Sequence, residues 1–364
     1  GGHCERVPEV ALMLAQAVSD VTEGPFADFK LQTEDEWREF RVAAWLHDCG
    51  KVTTPEFVVD KATKLECIYN RIHEIRTRFE VLWRDAELEY YRKRIGGGHA
   101  EAVLAAELQA KKDNLREDFA FVSACNLGGE FVADETIERL EKWMRHFDDR
   151  LGLSQEESLI KNVTPEQVLP VEENLLADKP EHIVPRTGED IFEGNPYGFK
   201  MEIPENLYHR GELYNLSIRK GTLTVEDRFK INEHIIQTIK MLEKLPFPDY
   251  LTNVPEFAGA HHETMDGKGY PRKLTREEMS IPARIMAIAD IFEALTASDR
   301  PYKKPQTLSE SLRIMSLMRD DRHIDAGLFE LFLKSGVYKA YAEKFLDPGQ
   351  IDDVAIEQFL GPTR

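Results

Sequence analysis

An acid set inside an apolar helix constrains this chain more than any other feature. The run Ile281-Pro282-Ala283-Arg284-Ile285-Met286-Ala287-Ile288-Ala289-Asp290-Ile291-Phe292-Glu293-Ala294-Leu295-Thr296 reads as one buried helix, with Asp290 surrounded by isoleucine, methionine, alanine and phenylalanine. An ionised carboxylate there needs a cation. Any fold this chain adopts must therefore bring cationic or metal-binding groups to Asp290. The run leads into Asp299-Arg300-Pro301-Tyr302-Lys303-Lys304, a cationic exit suited to an anionic ligand.

Two distant segments offer such groups. His261-His262-Glu263, followed by Asp266-Gly267-Lys268-Gly269-Tyr270-Pro271, sets two imidazoles and two carboxylates beside a glycine-rich turn. Imidazole with carboxylate suits iron, manganese or zinc. The glycines permit a sharp turn near a ligand, and Pro271 prevents a helix from continuing. Leu46-His47-Asp48-Cys49-Gly50-Lys51 ends an apolar helix on an adjacent His-Asp pair. Alone, the first segment also fits a polar loop, and the second a His-Asp hydrogen bond that steadies a core. A metal pair shared by Asp48 would remove the cost of burying that acid.

In chain order the segments resemble the HD-GYP family, a branch of the HD-domain metal phosphohydrolases. The matching residues are His47-Asp48-Cys49-Gly50-Lys51, His261-His262-Glu263-Thr264-Met265-Asp266-Gly267-Lys268-Gly269-Tyr270-Pro271, Ala289-Asp290 and Arg300-Pro301-Tyr302. A lone His-Asp pair would be weak; the HHExxDGxGYP string between correct partners is strong. The resemblance covers roughly residues 1–64 and 213–335.

The resemblance implies an all-α fold: an HD-domain helical bundle, here with a long helical-hairpin and loop insertion. It implies two or three divalent ions, iron or manganese. Carried over, the metal ligands are His3, His47, Asp48, His234, His261, His262 and Asp290, with Asp48 bridging. A third ion would use a glutamate one turn before His3, a position preceding residue 1, so both ion counts are admitted. The implied enzyme is a phosphoric diester hydrolase that cleaves a cyclic dinucleotide, cyclic di-GMP foremost, through a metal-bridged hydroxide. Asp48 and Lys51 are the catalytic residues. Lys51, Arg300, Lys303 and Tyr270 are the substrate-binding candidates, although packing explains Tyr270 equally well. Glu263 would steady ligand histidines, and Asp266, Gly267, Gly269 and Pro271 would shape the turn. A diguanylate cyclase partner at the GYP loop is also implied. Alternatives are a cyclic GMP-AMP phosphodiesterase, a general HD nucleotide phosphohydrolase, and a non-catalytic cyclic-dinucleotide receptor or scaffold. His73, His99, His146, His182, His209 and His323 read as ordinary residues.

The net charge of −19 argues against general nucleic-acid binding, which needs a basic face. It leaves room for a dinucleotide, because a few divalent ions and local cations can reverse the sign inside one cleft. Cys4, Cys49, Cys67 and Cys125 show no disulfide-scaffold spacing, which points to a reducing cytoplasm. No apolar run approaches membrane-span length. The chain opens on Gly-Gly without an initiator methionine and reads as a catalytic fragment of a longer protein, one that could carry a sensory domain or a membrane anchor.

Helices are expected over 5–20 and 34–48, the second with Thr33 as N-cap and Glu36 three residues on. Leu65, Ile68, Ile72, Ile75, Phe79, Leu82 and Ala86 form a heptad seam on a helix of roughly thirty residues. Further helices are expected over 99–124, 134–151, 307–319, 325–335 and 338–346, and one carrying His234 capped by Thr224. The domain reading is a discontinuous catalytic domain over 1–64 and 213–346, a hairpin or coiled-coil arm over 65–151, a loop-rich acidic segment over 152–212 and a tail over 347–364. The arm is expected to support a homodimer or to shield its own seam.

Overall fold

The structure, a computed structural model, describes residues 2–129, 131–141, 146–149, 171–187, 192, 194–298 and 306–361. They contain thirteen α-helices and two small two-stranded sheets, so the fold is predominantly helical, as expected. None of these helices is long and apolar enough to cross a membrane.

The chain divides into two compact units. Unit 1 comprises residues 1–55, 189–203 and 229–364, and unit 2 comprises 56–188 and 204–228. Unit 1 is thus assembled from three separate stretches of the chain and unit 2 from two.

In unit 1, α1 (Gly2–Ser19) packs against α2 (Glu34–Leu46) and against the apolar helix of Asp290, Ile281–Thr296. Leu14, Phe40, Phe292, Phe329, Phe332 and Tyr341 are fully buried in its core. The Phe292 ring meets Phe332 at 4.9 Å and Tyr341 at 5.4 Å between centroids. Each such side chain contributes roughly 1.5–3 kcal/mol by leaving water. The expected tail is packed: Phe359 belongs to this core, and Gln350 Nε2 donates to the Thr296 carbonyl over 2.9 Å.

Helix α2 starts as its sequence dictates. Thr33 Oγ1 accepts from the Glu36 amide at 3.2 Å, and the Glu36 carboxylate accepts from the Thr33 amide at 2.8 Å. Thr33→Ala is expected to cost about 1 kcal/mol. The measurement is a urea titration, in which the midpoint should fall while the slope stays constant.

Unit 2 holds a helical hairpin, Ile72–Gly96 against Glu101–Asn126, turned by Gly97 and Gly98 at positive φ. Ile72, Ile75, Phe79, Leu115 and Val122 share its core. The seam begins later than its spacing implies. Asn70 Oδ1 accepts from the Ile72 amide at 3.1 Å and sets the helix start there, and Ile68 is left 83 % exposed. The helix expected over 134–151 stops at Glu141, and His146–Asp149 is a strand paired antiparallel with Val171–Asn174. That pairing joins distant residues and overrides a local helical pattern. The expected loop region 152–212 likewise contains a second pair, Ile183–Pro185 with Asn206–His209. Lys64 is fully buried and ties the unit together by donating to the Leu216 carbonyl at 2.9 Å and the Ile218 carbonyl at 2.7 Å.

Candidate metal centre

Four parts of unit 1 carry the site: α1 with His3, the residues just after α2 with His47 and Asp48, the stretch of the helix Val225–Leu242 from Phe229 onward with His234, and the apolar helix with Asp290. His261 and His262 follow directly on the short helix Val254–Gly259. The helix of His234 is capped as expected, with the Asp227 amide donating to Thr224 Oγ1 at 3.1 Å. Gly50 lets the HD segment meet this helix. Its amide donates to Thr238 Oγ1 at 2.9 Å.

These elements bring together all seven residues expected as ligands. His3, His47, Asp48 and Asp290 form one group of four, and Asp48, His234, His261 and His262 form another. Within each group the ligand-type atoms lie within 4.8 Å of one another. Asp48 belongs to both. Its Oδ1 is 3.2 Å from His234 Nε2, and its Oδ2 is 3.2 Å from His3 Nε2 and 3.3 Å from His47 Nε2. Asp290 Oδ1 lies 3.1 Å from His3 Nε2.

The imidazoles are held by one repeated device. Nδ1 of His47, His234 and His261 meets the carbonyl three residues earlier, of Ala44, Ile231 and Ala258, at 2.7, 2.5 and 2.6 Å. A carbonyl accepts only, so Nδ1 bears a proton and Nε2 is the inward-facing atom, a metal donor once it is deprotonated. His3 is held instead by a carboxylate, with Glu293 accepting from its Nδ1. Glu293 is fully buried and also accepts from Arg6 Nε at 2.6 Å. Carboxylates and carbonyls behind ligand histidines are the usual way to fix their tautomer. The resemblance did not supply Glu293. Its signal was present: a second acid one turn after Asp290 on the same apolar helix.

The two groups differ electrostatically. Burial opposes charge on His47, but Asp290 and Asp48 outweigh it and raise its pKa to about 10. His3 behaves likewise, raised to about 11 against its burial by Asp290, Asp48 and Glu293. Burial, with repulsion from His47, lowers His261 to about 4, and His262 is also pushed well below its ordinary value by burial and by His261. Despite burial, Asp48 and Asp290 are held well below the ordinary carboxylate range by the surrounding histidines.

The donor set fits divalent ions. His3 Nε2, His47 Nε2, His261 Nε2 and Asp48 Oδ1 are buried and make no hydrogen bond. Orphaned buried polar atoms are costly, and these four, divided between the two groups that share Asp48, would be satisfied by cations.

The GYP turn flanks this centre. Asp266 Oδ1 accepts from Thr264 Oγ1 at 2.7 Å and from the Lys268 amide at 3.2 Å, so it shapes the turn. Gly267 has φ +75°, and a Cβ on Gly269 would stand 2.5 Å from Glu263 Cα. Pro271 follows, and its carbonyl accepts from the Lys200 amide at 2.8 Å. Glu263 does something other than steady histidines. Its carboxylate accepts from the Arg272 amide at 2.6 Å and the Leu274 amide at 2.9 Å, closing the loop on itself. Tyr270 stacks on His262, with ring centroids 4.9 Å apart and planes 17° off parallel. Lys51 Nζ lies 2.5 Å from Asp48 Oδ2, and its side chain is 47 % exposed. Arg300 and Lys303 lie outside the described residues.

Residues 170–328 match the family model of the HD domain, a span that holds His234, His261, His262 and Asp290 but not the His47-Asp48 pair. Among curated proteins, the chain is 42 % identical over 136 residues to a 3'3'-cGAMP-specific phosphodiesterase of Vibrio cholerae, covering 37 % of this chain and 28 % of that protein. It is 40 % identical over 99 residues to a cyclic di-GMP phosphodiesterase of Pseudomonas aeruginosa, covering 27 % and 23 %. A cyclic di-GMP phosphodiesterase of Thermotoga maritima is 38 % identical over 96 residues, covering 26 % of each chain. The chain spans about a quarter of the length of these relatives. The family match and these relatives together support an HD domain of the HD-GYP type in this chain.

Proposed function

We propose that this chain is a metal-dependent phosphodiesterase that opens a cyclic dinucleotide, with cyclic di-GMP the leading substrate. The observation that carries the reading is the pair of four-residue groups sharing Asp48. His3, His47, Asp48 and Asp290 would hold one ion, and Asp48, His234, His261 and His262 the other, iron or manganese. Two such ions, when bound, polarise a phosphoryl oxygen and acidify the attacking water. The protein does the rest. Asp48 fixes the spacing of the two half-sites, and the carbonyls of Ala44, Ile231 and Ala258 aim the imidazoles. Lys51, on an exposed stem beside Asp48, swings its ammonium to a phosphate oxygen and offsets charge there. Arg300 and Lys303 are proposed to add cationic charge on the same anion. No side-chain nucleophile is needed.

The relatives named for cyclic di-GMP and for 3'3'-cGAMP set the two substrates to compare. The test is metal-reconstituted protein, with manganese or ferrous iron, assayed against both and against simple mononucleotides. Release of a linear dinucleotide is the expected result. A protein with both ions bound that leaves every cyclic dinucleotide intact would overturn the reading.

For the inserted hairpin we propose a homodimer contact. Leu88, Tyr91 and Ile95 are spaced for one helix face and are 45 %, 53 % and 86 % exposed. Sedimentation of wild type and Ile95→Glu should give a dimer and a monomer. A monomeric wild type at micromolar concentration removes the idea.

A further inference from the structure

A cleft of about 350 Å³ opens beside the metal centre, with His262 in its wall. The GYP turn forms one side through Asp266, Lys268 and Tyr270. Asp321 and His323, in the turn that follows Leu308–Asp320, form the other. The two sides are tied by backbone: the Arg322 carbonyl accepts from the Met265 amide at 2.9 Å. Arg322 has φ +56°, a region that side-chain-bearing residues rarely occupy. That conformation sets Asp321 and His323 on the cleft wall.

The lining has the chemistry of a nucleobase pocket. Tyr270 and His262 are already stacked, so an aromatic wall stands directly beside an imidazole of the metal centre. Base stacking on such a surface is sequence-tolerant and supplies affinity without choice. Choice needs hydrogen-bonding groups. Asp266 is spent within its own turn, on Thr264, the Lys268 amide and Lys268 Nζ at 2.6 Å. Asp321 is exposed, and among the described residues its carboxylate has no hydrogen-bond or ion-pair partner. It remains an acceptor with two oxygens.

We propose that this cleft seats one base of the substrate and that Asp321 selects guanine there, an inference that rests on the cyclic-dinucleotide reading above. Guanine presents N1–H and the exocyclic amine side by side, two donors for the two oxygens of one carboxylate. Adenine presents an unprotonated N1 at the same place, which a carboxylate repels. Asn at this position offers one acceptor and one donor, the complement of the adenine edge. A good bidentate pair separates right from wrong base by about one order of magnitude or more.

The experiment compares wild type with Asp321→Asn, both manganese-loaded and checked for helix content. kcat/KM is measured for cyclic di-GMP and cyclic di-AMP, and binding of GMP and AMP is measured by calorimetry. Wild type should prefer the guanine ligands, and Asp321→Asn should lower the guanine-to-adenine ratio by roughly tenfold in both measurements. A ratio that stays within about twofold of wild type overturns the proposal. If wild type turns over none of cyclic di-GMP, cyclic di-AMP and 3'3'-cGAMP, the phosphodiesterase reading fails, and the GMP and AMP isotherms still decide whether Asp321 reads a base.

Discussion

Asp48→Ala is expected to reduce cyclic-dinucleotide turnover by on the order of 10³-fold or more, since metal ions supply several kcal/mol of transition-state stabilisation. The same substitution should lower bound divalent metal by at least one ion per chain in elemental analysis. The reason lies in the sharing. Asp48 is the residue common to both groups, with Oδ1 toward His234 and Oδ2 toward His3 and His47. Losing His234 would weaken only one group, whereas losing Asp48 weakens both. The fold should survive. Asp48 is only 4 % exposed, but it lies outside α2, and the core of Phe40, Phe292 and Phe332 is untouched. Far-UV circular dichroism should therefore match wild type. A variant that keeps two ions and full turnover would remove the proposed centre.

Much of this centre was legible in the sequence, for one physical reason. Polar groups on apolar helices must be paired, and Asp290, His47-Asp48 and His261-His262 had no adequate partners nearby in the chain, so each demanded the others. The unread parts depended on contacts between distant residues. Glu293 takes its meaning from His3 and Arg6, which are brought to it only when α1 packs on the apolar helix. Glu263 was read by its neighbours, two histidines, but its partners are the amides of Arg272 and Leu274 across the loop. Similarly, His146–Asp149 looked helical because its strand partner, Val171–Asn174, lies far along the chain. Ile68 continued the heptad spacing, but the helix begins only at Ile72, whose amide donates to Asn70 Oδ1.

Among the described glycines, Gly50→Ala is expected to be the most damaging alanine substitution. A Cβ on Gly50 would stand 2.0 Å from the His234 carbonyl oxygen, 2.5 Å from the Thr238 amide nitrogen and 2.7 Å from Thr238 Oγ1. The first two are backbone atoms of a helix, so neither can rotate away as a side-chain tip can. The HD segment must withdraw from that helix, breaking the Gly50 amide bond to Thr238 and carrying Asp48 away from His234. Overpacking of this kind costs typically 1–3 kcal/mol and sometimes more, and a clash with rigid backbone belongs at or above the upper end. Function should fall further than stability, because a displacement of about an ångström at a catalytic group can cost on the order of a hundredfold in rate. Denaturant titration of the metal-free protein measures the first effect, and metal content with turnover measures the second. A Gly50→Ala protein with wild-type stability and both ions in place would mean that Asp48 and His234 are not set by this contact.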